Sequence, residues 1–103
     1  MAFQLIVLYH HPEDVAAFDK HYDEIHVPLA AALPGLRTYT VQRPVAGGGQ
    51  RPAYHLVAVL TWDDEQSFLA AMASEKGQAA VADVGEFAVA GVTMTTGPSA
   101  SVL

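Results

Sequence analysis

Two stretches of strand length, residues 3–9 and 53–62, are apolar on both faces, and they constrain the fold more than any other feature of the chain. A strand that hides both faces belongs in the middle of a covered sheet, not at its rim. The segment 36–43 reads differently. It sets Arg37, Tyr39, Val41 and Arg43 against Leu36, Thr38, Thr40 and Gln42, the pattern of a half-exposed strand near an edge. Residues 44–52 join it to the second apolar run through Gly47-Gly48-Gly49, a flexible hairpin loop.

Helical patterns follow each apolar run. His11-Pro12-Glu13-Asp14 offers a helix start, with proline in the first turn and two acids near the positive end of the helix dipole. Val15, Phe18, Tyr22, Ile25, Leu29 and Leu33 then recur at spacings of three and four, an amphipathic stripe. Asp63-Asp64-Glu65 opens a second helix with Phe68, Leu69 and Met72 as its stripe. Ser74 can cap a further short helix through 79–82, with Gly77 as a weak point, and 91–96 makes a last strand. The order β-α-β-β-α-β predicts an α+β, ferredoxin-like protomer with its first and third strands central and two helices on one sheet face. Residues 1–97 form the expected domain and 98–103 a tail.

At 103 residues, 51% of them apolar and 16% charged, the chain has more apolar side chains than one small core hides. Pairing the open sheet faces of two copies buries the surplus, so a homodimer closed into an α+β barrel is expected. A net charge of −6 with five scattered basic residues argues against nucleic acid. The apolar run 5–9 is too short to span a bilayer and no basic segment precedes it, which predicts a cytoplasmic protein with neither a membrane partner nor a secretory leader. With no cysteine there is no disulfide and no thiolate chemistry.

Chemistry concentrates where the first helix meets Pro28. Proline removes the hydrogen bond to the Glu24 carbonyl and disfavours helical geometry at Val27, so a kink is expected there, with Leu33-Pro34-Gly35 ending the helix. Tyr22 and His26 stand four apart, about 40° around a helix. Two readings of His26 stay open: a general acid or base beside Tyr22, or a ring that satisfies a free carbonyl near the kink. His21, five residues before His26, lies about 140° away on a regular helix, so the two cannot easily share a metal. His10 and His11 end the first strand on opposite faces, and either could reach a site above the strand ends. Tyr9, Tyr39, Tyr54 and Trp62 could line an aromatic pocket, although aromatics at strand spacing also serve as core. His55 could be interfacial. No HxH or HxxxH spacing occurs, so no metal is expected, and neither a phosphate loop, a dinucleotide fingerprint nor a Gly-x-Ser-x-Gly motif implies a cofactor or a serine nucleophile.

Taken in order, Ile6-Val7-Leu8-Tyr9, Phe18, His21-Tyr22, His26-Val27-Pro28-Leu29 and Leu33-Pro34-Gly35-Leu36 resemble the EthD family of the dimeric α+β barrel superfamily. The segment from Ser74-Glu75-Lys76-Gly77 through Asp83 and Phe87 is similar to that family's second half. The resemblance implies a dimer whose sheets pack together and a ligand cleft between sheet and helices in each protomer, with His26 and Tyr22 at the matching positions. Two functions are consistent with it. One is a cofactor-independent isomerase, cyclase, lyase or monooxygenase-like enzyme acting on a small hydrophobic carbonyl or aromatic compound in a catabolic or secondary-metabolite pathway. The other is a non-catalytic ligand-binding or accessory protein to an oxygenase system such as ether degradation. A purely structural dimer, in which His26 and Tyr22 satisfy each other, would open no pocket above ~300 Å³ beside them.

Overall fold

A computed structural model describes residues 1–103 as one four-stranded antiparallel sheet with its helices on a single face. The strands are β1 (Ala2–Tyr9), β2 (Thr38–Gln42), β3 (Leu56–Trp62) and β4 (Val92–Ser99), in the spatial order β2-β3-β1-β4. The two apolar runs thus occupy the centre, pairing from Phe3↔Trp62 to Tyr9↔Leu56. The polar β2 and the threonine-rich β4 take the edges. β4 extends beyond the expected 91–96 and takes in Pro98, which an edge strand tolerates because one side of its backbone has no partner to lose.

Register divides the side chains cleanly. Phe3, Val7 and Tyr9 of β1 and Leu56, Ala58, Leu60 and Trp62 of β3 are buried beneath the helices. On the other face Ile6 and Leu8 lie beside Val59 and Val57, all half-buried, flanked by Thr40 and Gln42 on one edge and by Thr93 and Thr95 on the other. This face carries no helix, so an apolar strip with a polar margin is left open.

The helical layer runs α1 (Val15–His21), a π-helical turn (Tyr22–His26), α2 (Val27–Ala31), α3 (Glu65–Ala73) and α4 (Glu75–Phe87). Helix α1 begins later than its sequence suggests. Asp14 is its N-cap, accepting from the Ala17 N–H, and Pro12 lies outside the helix. In the second half, Asp64 caps α3 through the Ser67 N–H and Ser74 caps α4 through the Gly77 N–H. The expected short helix is 13 residues long. Gly77 is not a weak point in it. A Cβ there would lie 2.0 Å from the Ala71 carbonyl oxygen and 2.8 Å from the Met72 Cα. Glycine is what lets α4 start directly against the end of α3, which outweighs its cost in helix propensity.

Candidate functional site

The site begins with the defect before Pro28. Proline has no N–H for the Glu24 carbonyl, and its ring would press on that carbonyl in a regular helix. The chain widens by one residue instead: the Val27 N–H bonds the Tyr22 carbonyl, and Val27 itself stays helical. The expected kink is therefore a π-turn spread over Tyr22–His26, and it changes which residues face the core. The buried stripe is Phe18, Tyr22, His26, Ala30 and Leu33. Val15 and Ile25, both assigned to the core by a regular period, are 49% and 48% exposed. An extra residue per turn rotates Ile25 out and draws His26 in.

The same turn overturns the expectation that His21 and His26 diverge. Both reach one carboxylate, Asp83 of α4: His21 Nε2 lies 2.8 Å from Oδ1 and His26 Nδ1 lies 2.9 Å from Oδ2. A carboxylate only accepts, so each of these ring nitrogens carries the proton it donates. His26 does not cap a carbonyl. Its Nε2 has no hydrogen-bond partner, yet no fully buried side-chain nitrogen or oxygen is left unsatisfied, so Nε2 keeps some accessible surface on a ring that lines an open space. Burial pushes the His26 imidazole below its ordinary value, while the hydrogen bond and charge of Asp83 act the other way. The outcome is a neutral ring with a bare nitrogen, held in one tautomer by a buried carboxylate.

That space is a cavity of about 180 Å³ between the sheet and the helices. Tyr9, Tyr22, His26 and Tyr39 bring polar atoms to a lining in which 15 of 17 residues are hydrophobic. Met94 and Thr96 of β4 and Val81 of α4 are exposed and also line the cavity, so it opens along the β4 edge. The volume lies below the ~300–1,000 Å³ of common drug-sized sites, as a purely structural dimer would have it, and near the ~150 Å³ of an apolar cavity that accepts benzene. One ring fits.

Tyr22 and His26 pack with ring centroids 5.3 Å apart but do not satisfy each other. The Tyr22 hydroxyl instead meets Tyr39 at 2.6 Å. One of these hydroxyls donates to the other, which leaves the acceptor's own proton free. Burial pushes the phenols of Tyr9, Tyr22 and Tyr39 up, so all three are uncharged donors at neutral pH. Phe87 packs against both histidines, its ring 4.8 Å from His21 and 5.1 Å from His26.

Of the residues singled out in the sequence, the fold brings Tyr9, Tyr22, His26 and Tyr39 together at the cavity. His10, His11 and Trp62 do not line it. His10 bonds Thr93 Oγ1 at 2.9 Å, His11 Nε2 donates to the Pro52 carbonyl at 2.7 Å, and Trp62 Nε1 donates to the Pro34 carbonyl at 3.0 Å. His55 is held by Asp19. Asp83, to which the sequence assigned no role, is the residue on which the site turns. Its one visible signal is a carboxylate in step with Gly77 and Ala80 on a buried helical face.

An EthD domain model matches residues 10–91, a span that contains His21, Tyr22, His26, Tyr39, Asp83 and Phe87. The chain belongs to the EthD family. Among its relatives, an uncharacterized 11.0 kDa protein from the thcB-thcC intergenic region of Rhodococcus erythropolis is 37% identical over 92 residues, 89% of each chain. An ethyl tert-butyl ether d (EthD) family protein of Bacillus halodurans superposes with a TM-score of 0.92 at 36% identity, covering 97% of this chain and all of that one. Two further structures share the fold. A dimeric ferredoxin-like protein of Thermobifida fusca has a TM-score of 0.71 at 20% identity, over 93% and 89% of the two chains. SnoaB of Streptomyces nogalater, a cofactor-independent oxygenase, has a TM-score of 0.68 at 16% identity, over 99% and 95%. No helix of this EthD protein is long and apolar enough to cross a membrane.

Proposed function

We propose that this EthD protein is a cofactor-independent proton-transfer enzyme acting on a small, apolar, carbonyl-bearing or phenolic ring compound. The observation that carries the proposal is that His26 lines an apolar cavity with its Nε2 unpartnered while Asp83 holds the opposite nitrogen. His26 takes a proton from the carbon next to the substrate carbonyl, and the electron pair of that C–H bond moves into the enolate. The imidazolium that forms is stabilised by Asp83, and the free hydroxyl proton of the Tyr22–Tyr39 pair hydrogen-bonds the developing oxyanion. Returning the proton to a different carbon completes an isomerisation and regenerates the neutral ring. The protein works as a homodimer through the open strip of Ile6, Leu8, Val57 and Val59. The apolar character of that strip supports this, as does the dimeric ferredoxin-like relative. Proton removal of this kind would also serve the chemistry of a cofactor-independent oxygenase, the activity named for SnoaB.

A binding-only protein is the second reading, favoured by a lining that is almost wholly hydrophobic. Isotope exchange separates the two. Wild-type protein in D₂O should incorporate deuterium next to the carbonyl of cyclohexanone, and His26→Ala should slow this by about 10²–10⁴-fold while the dimer stays folded. Equal exchange in both proteins, or binding of monocyclic ketones with no exchange in either, would leave only the carrier.

A further inference from the structure

We propose that His21 is a positioning residue for the cavity histidine: it holds one oxygen of Asp83 so that the other fixes the tautomer of His26. The inference rests on His26 being the proton-transfer group proposed above.

Asp83 is the shared support of two rings that differ in their surroundings. His26 is 5% exposed and faces the cavity. The His21 side chain is 27% exposed and lines a separate groove with Glu13, Asp14, Glu86 and Phe87. A carboxylate can turn about its Cβ–Cγ bond, and one hydrogen bond does not prevent this. With His21 on Oδ1 and His26 on Oδ2, both oxygens are occupied and the rotation is arrested. No side chain other than His21 and His26 bonds Asp83. The other titratable groups of the groove are carboxylates, which cannot donate to Asp83. On the cavity side the Tyr22 hydroxyl pairs with Tyr39, and no hydrogen bond links Tyr9 or Tyr22 to Asp83. Phe87 stacks on the His21 ring at 22° and keeps it in the plane from which Nε2 reaches Oδ1.

The consequence lies at His26 Nε2. While Asp83 is locked, the His26 proton stays on Nδ1 and the cavity nitrogen stays bare. Once Asp83 can turn, the proton is free to move to Nε2, where it removes the base from the cavity. The π-turn is what makes this arrangement available, because residues five apart share one side of the helix only where the turn is widened.

The test reads the tautomer of His26 directly, by two-bond ¹H–¹⁵N correlation of labelled imidazoles at mildly alkaline pH. It uses wild type, His21→Ala and His21→Gln without substrate. Wild type should show His26 protonated at Nδ1. His21→Ala should move its signals toward the Nε2-protonated form, and His21→Gln, which keeps an N–H donor, should restore the wild-type pattern. An unchanged His26 tautomer in His21→Ala, or no recovery in His21→Gln, would overturn the role. Because no turnover enters this measurement, its failure is distinct from failure of the isotope-exchange assay.

Discussion

The two helical segments that cover the sheet are built on opposite plans. The second, α3 with α4, is regular: each helix has a side-chain N-cap, and the junction is so tight that only Gly77 fits against Ala71 and Met72. The first is interrupted by a π-turn that gives up regular hydrogen bonding to bury a histidine. The difference explains the division of labour at the site. The regular half supplies a fixed carboxylate, and the distorted half supplies the rings that use it. An uncharged imidazole is desolvated at a cost that one carboxylate hydrogen bond offsets only when the carboxylate is in place beforehand.

Disturbing the regular half should have the largest effect. Gly77→Ala forces a methyl group onto the backbone of α3, and we expect a loss of about 3 kcal/mol in unfolding free energy by urea denaturation. The rotation of α4 should also loosen Asp83 from both histidines. In the distorted half the sign reverses. Pro28→Ala returns an N–H to the helix and should raise stability by about 1 kcal/mol, while cyclohexanone exchange falls as the turn tightens and His26 rotates outward. A substitution that left both stability and exchange unchanged would show that proline does not set the π-turn.

Acid should act more gently, and with a definite direction. Burial holds the His26 value in the folded protein below 6.5, so as pH falls through that value the unfolded chain binds the proton first. Stability contributed by neutral His26 is therefore intact above pH 6.5 and declines below it, levelling off beneath the folded-state value. Urea midpoints measured on either side of this window should fall with acid in wild type and fall less in His26→Gln.

The same contrast marks what the sequence could reveal. The central strands were legible because residues 3–9 and 53–62 are apolar on both faces, and the edge strand because residues 36–43 alternate with polar and charged side chains. The caps Asp64 and Ser74 were equally local signals. Gly77 misled because its penalty is intrinsic whereas its need is tertiary, set by the carbonyl of Ala71. His21 and His26 were placed apart by a regular helical period, although Pro28 marked where that period had to fail. Asp83 lies 57 residues from His26 and becomes its partner only through the packing of α4 on the π-turn. No local pattern reports a contact of that kind.

The central claim is that one histidine of the five, His26, presents a bare Nε2 to a ligand-sized cavity. The most direct measurement follows the ring nitrogens of all five histidines by ¹H–¹⁵N correlation while cyclohexanone is added to the wild-type protein. We expect the His26 Nε2 resonance to move with saturation, with His10, His11 and His55 unmoved because each is held elsewhere by Thr93, Pro52 or Asp19. Saturable movement at any of those three with none at His26 would contradict it.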